Sequence, residues 1–371
     1  MKIAVLTYNF NNNYGGMLQA YAMMKTLKKL DHKPELLYVQ TVELSFKNRL
    51  KFFIKKHLLS YFIPKWTELR HQTTIEQNTS YFVNKYITPK TAPLWKEKDF
   101  KNITKNNYDA YLVGSDQVWR ARLYRYIDYA FFGFVESNKP VFLSYAASFG
   151  VDIWEYTEEE TKKYKKQLKR FDAISVREAS GVTLCKEHFE KDALHVLDPT
   201  MLLDPEDYRK IVLDEDEPNQ DGNLFTYILD MTDEKKNLVS KVAETLNLRP
   251  FSISIKSEDC INLKSKIFPT VTAWLKAFDE AEYIITDSFH GCLFSILFNK
   301  PFLVYGNKKR GLARFQSILK IFNLENRLID TMNSFSEEII LEPINWKNVN
   351  QTLNDFRAVS LNYLQVNLKS K

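Results

Sequence analysis

The chain has 371 residues, 44% of them hydrophobic, 14% aromatic and 26% charged, with a formal net charge of +6. That length suggests two domains of ordinary size, and the apolar content excludes a disordered or fibrous protein. So modest a charge gives no argument for nucleic acid, and no run reaches the ~18 apolar residues of a membrane span. Cys185, Cys260 and Cys292 cannot all pair within one chain and show no CxxC spacing. This fits a reducing compartment and argues against a structural zinc site. Only Ile3 to Thr7 separate Lys2 from the polar residues that follow, so no signal peptide is expected. The expectation is a soluble, cytoplasmic α/β protein.

Lys2 to Thr7 reads as a compact apolar strand running into Asn11-Asn12-Asn13-Tyr14-Gly15-Gly16. An amphipathic helix from Met17 to Leu30 and a strand from Glu35 to Val39 complete a β–loop–α–β opening. The glycines do not spell GxGxxG, so a dinucleotide fingerprint is unsupported, and a purely structural turn is an equal alternative. From Phe46 to Phe62 the character changes. Phe46, Leu50, Phe53, Ile54, Leu58 and Tyr61 fall on one helical face, with Lys47, Lys51 and Lys55 beside them and no acidic residue between Ser45 and Leu59. Such a helix suits a membrane interface or a lid over a lipid-like substrate, or it is an ordinary surface helix packed on its own domain.

Thr67 to Ala92 is polar and helical in part, and Tyr108 to Val113 is a buried strand ending in Gly114-Ser115-Asp116-Gln117-Val118-Trp119. Hydroxyl, carboxylate and amide groups at a strand end suit a polyhydroxylated ligand, with Trp119 available for stacking. Ser115 or Asp116 would equally serve as a helix cap. Pro140 to Ala146 is a further strand, followed by a charged helix from Thr157 to Leu168. Phe171 to Val176 leads to Arg177, whose planar fork suits a carboxylate or phosphate. The alternative is a surface ion pair with Glu178. His195 to Pro205 reads as a linker. After the acidic run Asp214 to Gly222, strands and helices alternate again: Phe225 to Leu229, Asp233 to Leu246, Pro250 to Ile255 and Thr270 to Ala281.

The most informative stretch is Tyr283 to Tyr305, YIITDSFHGCLFSILFNKPFLVY. A buried strand gives way to Asp287-Ser288-Phe289-His290-Gly291, then to a helix and a second strand from Phe302. Free backbone N–H groups at such a helix start favour anions, and ligands of open α/β sheets gather at strand C-terminal crevices. His290 is placed in the turn; a capped helix with a surface histidine is the alternative. Directly after Tyr305 come Lys308, Lys309, Arg310 and Arg314, four cations beside the presumed anion site or a solvated basic loop. Phe315 to Leu324 is helical, and Trp346 to Leu368 reads as a long terminal helix.

NNYG with its LQAYA helix, DAYLVGSDQVW, SYAASFG, SVRE, HVLDPTMLLD and DSFHG before KPF resemble the motifs of the polysaccharide pyruvyl transferase family. Together they spread over most of the chain. The resemblance implies an α/β, GT-B-like fold: two doubly wound Rossmann-type domains facing a central cleft. It places an acceptor-side domain at 1–195, a donor-side domain at 196–345, and a terminal helix at 346–371 that folds back toward the first domain. It implies transfer of pyruvate from phosphoenolpyruvate to a hexose, galactose-like, of a lipid-linked or polymeric bacterial surface glycan. The product is a cyclic ketal, and phosphoenolpyruvate is a donor substrate, so no cofactor or metal is expected. His290 and Arg177 are the implied catalytic pair, with His290 as proton donor or phosphate ligand. Ser288, Gly291 and at least one of Lys308, Lys309, Arg310 and Arg314 face the donor. Asn13, Gly15, Ser115, Asp116, Gln117 and Trp119 face the acceptor. A polyprenyl-diphosphate carrier would bring the enzyme to the inner face of the cytoplasmic membrane, with contact through 46–62. A GT-B glycosyltransferase using a nucleotide sugar and a non-catalytic carbohydrate-binding protein are the rival readings; fold alone does not separate them.

Overall fold

The computed structural model describes residues 1–7, 10, 12–40, 54, 67–123, 127–253, 263–306 and 311–369. Strands β1 (Lys2–Leu6), β2 (Lys33–Leu36), β3 (Ala110–Gly114) and β4 (Val141–Tyr145) form a parallel sheet in the order β2-β1-β3-β4. Isolated parallel bridges Leu143–Ala173 and Ala147–Val176 continue it toward β5 (Ser175–Val176), which pairs with β6 (Leu194–His195). A second parallel sheet has β7 (Leu224–Tyr227), β8 (Pro250–Phe251), β9 (Tyr283–Thr286), β10 (Phe302–Tyr305) and β11 (Leu328–Ile329) in the order β11-β10-β9-β7-β8.

Both sheets are buried on two faces, as parallel sheets with near-continuous apolar strands must be. Successive side chains along a strand point to opposite faces, and the packing follows that period. Ile3 and Val5 of β1, with Ala110 and Leu112 of β3, join one core; Ala4, Leu6, Tyr111 and Val113 join another. In the second sheet Phe225, Ile284, Phe302 and Val304 enter that same first core, while Leu224, Tyr283, Ile285 and Leu303 pack on the far side. One contiguous core therefore ties the inner faces of both sheets. The helices Tyr14–Lys29 and Phe289–Leu297 lie within it. The terminal helix Trp346–Asn367 reaches the first sheet, where the Tyr363 hydroxyl donates to the Ser144 carbonyl at 2.9 Å.

Strand order determines where a ligand can sit. In the first sheet the chain leaves β1 for β2 on one side and later fills β3 on the other. In the second it leaves β7 for β8 and then fills β9 on the opposite flank. Each reversal opens a crevice at the strand C-termini, between β1 and β3 and between β7 and β9. The Asn13 amide spans the first crevice to Asp116 Oδ2 at 3.3 Å. Asp287 closes the floor of the second, accepting from the Leu229 and Asp230 amides at 2.6 and 3.1 Å.

Sequence periodicity places the main elements well, but strand lengths differ. The strand expected over Phe171 to Val176 shrinks to two residues, and the one over Pro250 to Ile255 to Pro250–Phe251. The first helix begins at Tyr14, so both glycines lie inside its first turn. The Phe46–Phe62 segment lies outside the described residues except for Ile54, which is exposed. Among the described residues no helix is long and apolar enough to cross a membrane.

Candidate active site

The two crevices face one another through His290. It sits in the first turn of the Phe289–Leu297 helix and is only 6% exposed, so the loop or surface position expected from the sequence is corrected. Burial follows from close approach by Gly15. A Cβ there would lie 2.1 Å from His290 Nδ1 and 2.3 Å from Cγ, so only glycine lets the first helix approach the ring. The other nitrogen, Nε2, lies 3.7 Å from Asp198 Oδ2 and makes no hydrogen bond among the described residues.

Arg177 follows β5, and its side chain is almost wholly buried. Its Nη1 donates to Asp198 Oδ2 at 2.8 Å, and its Nη2 lies 3.7 Å from Asp116 Oδ1. Nε and Nη2 make no hydrogen bond among the described residues. A buried guanidinium that leaves part of its fork unused has hydrogen bonds to offer an anion. Burial works against its charge, but Asp198, Asp116 and Glu178 outweigh that and hold its proton more firmly than usual. The guanidinium carbon lies 4.5 Å from the centre of the Phe289 ring, and that of Arg314 lies 5.2 Å from the same centre. Burial first, then the neighbouring Arg177, pushes Arg314 down to about 10. Two buried guanidinium groups against one ring repel each other, and a bound anion relieves that repulsion.

Asp198 joins these groups, although its sequence surroundings suggest only a linker. Its Oδ1 accepts from the Thr200 amide and hydroxyl at 3.0 and 2.8 Å, capping the short helix Pro199–Leu202. Its Oδ2 accepts from Ser115 Oγ at 2.9 Å and from Arg177. Burial opposes its ionisation, yet His290 and Arg177 together hold the carboxyl well below the usual carboxylate range. Glu178 is not the surface partner considered from sequence. It is buried, and its Oε1 accepts from the Phe149 and Gly150 amides at 2.7 and 3.0 Å, fixing the loop after β4.

The other sequence candidates divide. Ser115 and Asp116 adopt left-handed backbone, φ 32 and 60°, at the β3 end, a strain that persists only where surroundings enforce it. Ser115 is fully buried with its hydroxyl committed to Asp198, so it is not placed to read a sugar. Gln117 Oε1 accepts from Arg120 at 2.9 Å. Trp119 is a correction: it is 0% exposed, stacked on Phe131 and packed by Phe149 and Phe171, so it cannot stack on a sugar. Ser288 caps the helix, accepting from the Gly291 amide at 3.4 Å. Gly291 is required by close packing rather than by a sharp turn, since a Cβ would meet Thr286 Oγ1 at 2.3 Å. Asn13 is exposed at the crevice mouth. Lys308, Lys309 and Arg310 lie outside the described residues.

Two parallel-sheet units with their crevices opposed, and cationic groups where they meet, define a GT-B-like α/β protein with a site suited to a small anion. One solved structure agrees on the fold. The UDP-GlcNAc 2-epimerase of Neisseria meningitidis, bound to UDP-GlcNAc, is 9% identical with a TM-score of 0.53, covering 97% of this chain and 94% of its own. A glycosyltransferase from Rickettsia africae is 14% identical with a TM-score of 0.45, over 100% and 99% of the two chains. No curated protein matches the sequence significantly. The chain belongs to the polysaccharide pyruvyl transferase family, whose sequence profile matches residues 13–309.

Proposed function

We propose that the protein transfers pyruvate from phosphoenolpyruvate to two hydroxyls of a hexose in a lipid-linked or polymeric surface glycan. The observation that carries this reading is the meeting of Arg177 and His290 at one oxygen of Asp198, with Arg314 beside the same Phe289 ring. The donor bears a carboxylate and a phosphate, and the unused edge of Arg177 with Arg314 matches two anionic groups. In the reaction C3 of the enol takes a proton and becomes a methyl group, making C2 electrophilic. One sugar hydroxyl attacks C2, the C2–O bond to phosphate breaks, and a second hydroxyl closes the ketal. Of the two hydroxyl protons released, one balances the proton taken by C3 and the other leaves with phosphate. His290 is the titratable donor at the crevice, and the guanidinium groups neutralise the departing phosphate. The domains of this reading are an acceptor side at 1–195 and a donor side at 196–345.

The test is incubation with phosphoenolpyruvate and candidate lipid-linked hexoses, following phosphate release and product mass, with nucleotide sugars in parallel. Phosphate release with a pyruvate ketal on the acceptor supports the reading. Turnover of a nucleotide sugar alone identifies a glycosyltransferase and refutes it. His290→Gln is expected to lower turnover on the order of a hundredfold or more.

A further inference from the structure

We propose that Asp198 is a positioning residue that holds Arg177 and His290 in one geometry across the two halves of the molecule. The inference rests on the pyruvyl-transfer reading for its kinetic arm and on geometry alone for its structural arm. As a helix cap Asp198 needs only Oδ1, and serine or asparagine would cap as well. Its Oδ2 serves a different purpose. It receives Ser115 from the end of β3 and Arg177 from the end of β5, and it lies 3.7 Å from His290 of the second sheet's crevice. Arg177 and His290 would repel one another when both are charged, and the carboxylate fully buried between them is what lets them share the site.

Ionisable groups face this cluster from several elements. Tyr145 of β4 and Tyr208 of the Pro205–Leu213 helix lie within electrostatic reach of Asp198. Asp116, Glu178 and Arg314 surround Arg177. Among the described residues Asp198 is the one carboxylate that pairs with both Arg177 and His290. Replacing it by asparagine keeps its shape and removes the charge, so the site's acid gives up its proton more readily.

The experiment compares wild type, Asp198→Asn and Thr200→Val. The last removes the hydroxyl bonded to Oδ1 and leaves Oδ2 untouched. For Asp198→Asn we expect kcat to fall about a hundredfold, as for misplaced catalytic groups, with a smaller change in KM for phosphoenolpyruvate. The alkaline limb of its pH–rate profile moves to lower pH. Thr200→Val keeps the kcat and pH profile of wild type. Wild-type kcat and an unshifted limb in Asp198→Asn overturn the proposal, as does an equal kcat loss in both variants, which would mark a structural cap. Should Asp198→Asn not fold, Ser115→Ala removes one contact to Oδ2 and must show the same pattern more weakly; unchanged kcat there overturns the proposal. If wild type transfers no pyruvate, the functional reading has failed separately. A crystal structure of Asp198→Asn then decides: displaced Arg177 and His290 side chains support the positioning role, and unmoved ones overturn it.

Discussion

Gly15→Ala is the sharpest single perturbation of the site, because it alters neither a charge nor a hydrogen bond. Gly15 lies in the first turn of a helix without positive φ, so alanine is allowed there and favoured by about 1 kcal/mol in helix propensity. The added methyl, however, would lie 2.1 Å from His290 Nδ1, 2.3 Å from Cγ and 2.8 Å from Cβ. The ring must retreat by about 1.3 Å or more to restore van der Waals contact. Overpacking of this kind costs about 1–3 kcal/mol, partly offset by the helix gain, so the fold survives with a modest loss of stability. A displacement near 1 Å of a reacting group costs about a hundredfold in rate, or about 2.7 kcal/mol in the barrier. The assay is phosphate release from phosphoenolpyruvate in the presence of acceptor, paired with thermal denaturation. Gly16→Ala serves as the comparison, since the atoms nearest its methyl would be those of the Asn13 side chain, at 3.0 Å and beyond. A Gly15→Ala enzyme with wild-type turnover refutes the reasoning.

Three further outcomes are expected. Trp119→Phe keeps an aromatic in the packed cluster and leaves KM for the acceptor unchanged; a large rise in that KM would restore the stacking role. His195 is held below the ordinary histidine value of 6.5, chiefly by burial, while its Nε2 lies 3.1 Å from the Arg177 carbonyl. The native state thus binds fewer protons than the unfolded one, and stability falls as pH drops below 6.5 toward the folded value. Urea unfolding should show this slope flattened in His195→Gln, and identical slopes would contradict the assignment. If 46–62 meets anionic lipid, each lysine near the surface contributes about 1 kcal/mol, so vesicle binding should fall with salt and in Lys51→Glu. Salt-independent binding, or none, removes the membrane proposal.

Local pattern reveals those features whose cause is local. The apolar runs of β9 and β10 and the helix between them follow from short-range alternation, and their bounds are close to those expected. Asp198 was hidden because its chemistry comes from residues 83 and 21 positions away, Ser115 and Arg177, which only sheet topology brings together. Trp119 was misplaced for the converse reason. A strand-end aromatic looks available until Phe131, Phe149 and Phe171 arrive from later in the chain. Glycines show the same divide: Gly15 and Gly291 read as turn formers, whereas their backbone conformation is ordinary and the missing Cβ makes room for His290 and Thr286. The small strand β11 went unread because two residues carry no period.

If the buried guanidinium of Arg177 receives phosphoenolpyruvate, calorimetric titration will separate wild type from Arg177→Lys. Lysine keeps the positive charge beside Asp198 and preserves the fold, but it lacks the planar fork whose Nε and Nη2 make no hydrogen bond among the described residues. Binding to wild type is expected, with a weakening of about tenfold or more in the variant and similar melting temperatures. Equal affinity in the two proteins, or no binding by wild type, would contradict this role of Arg177.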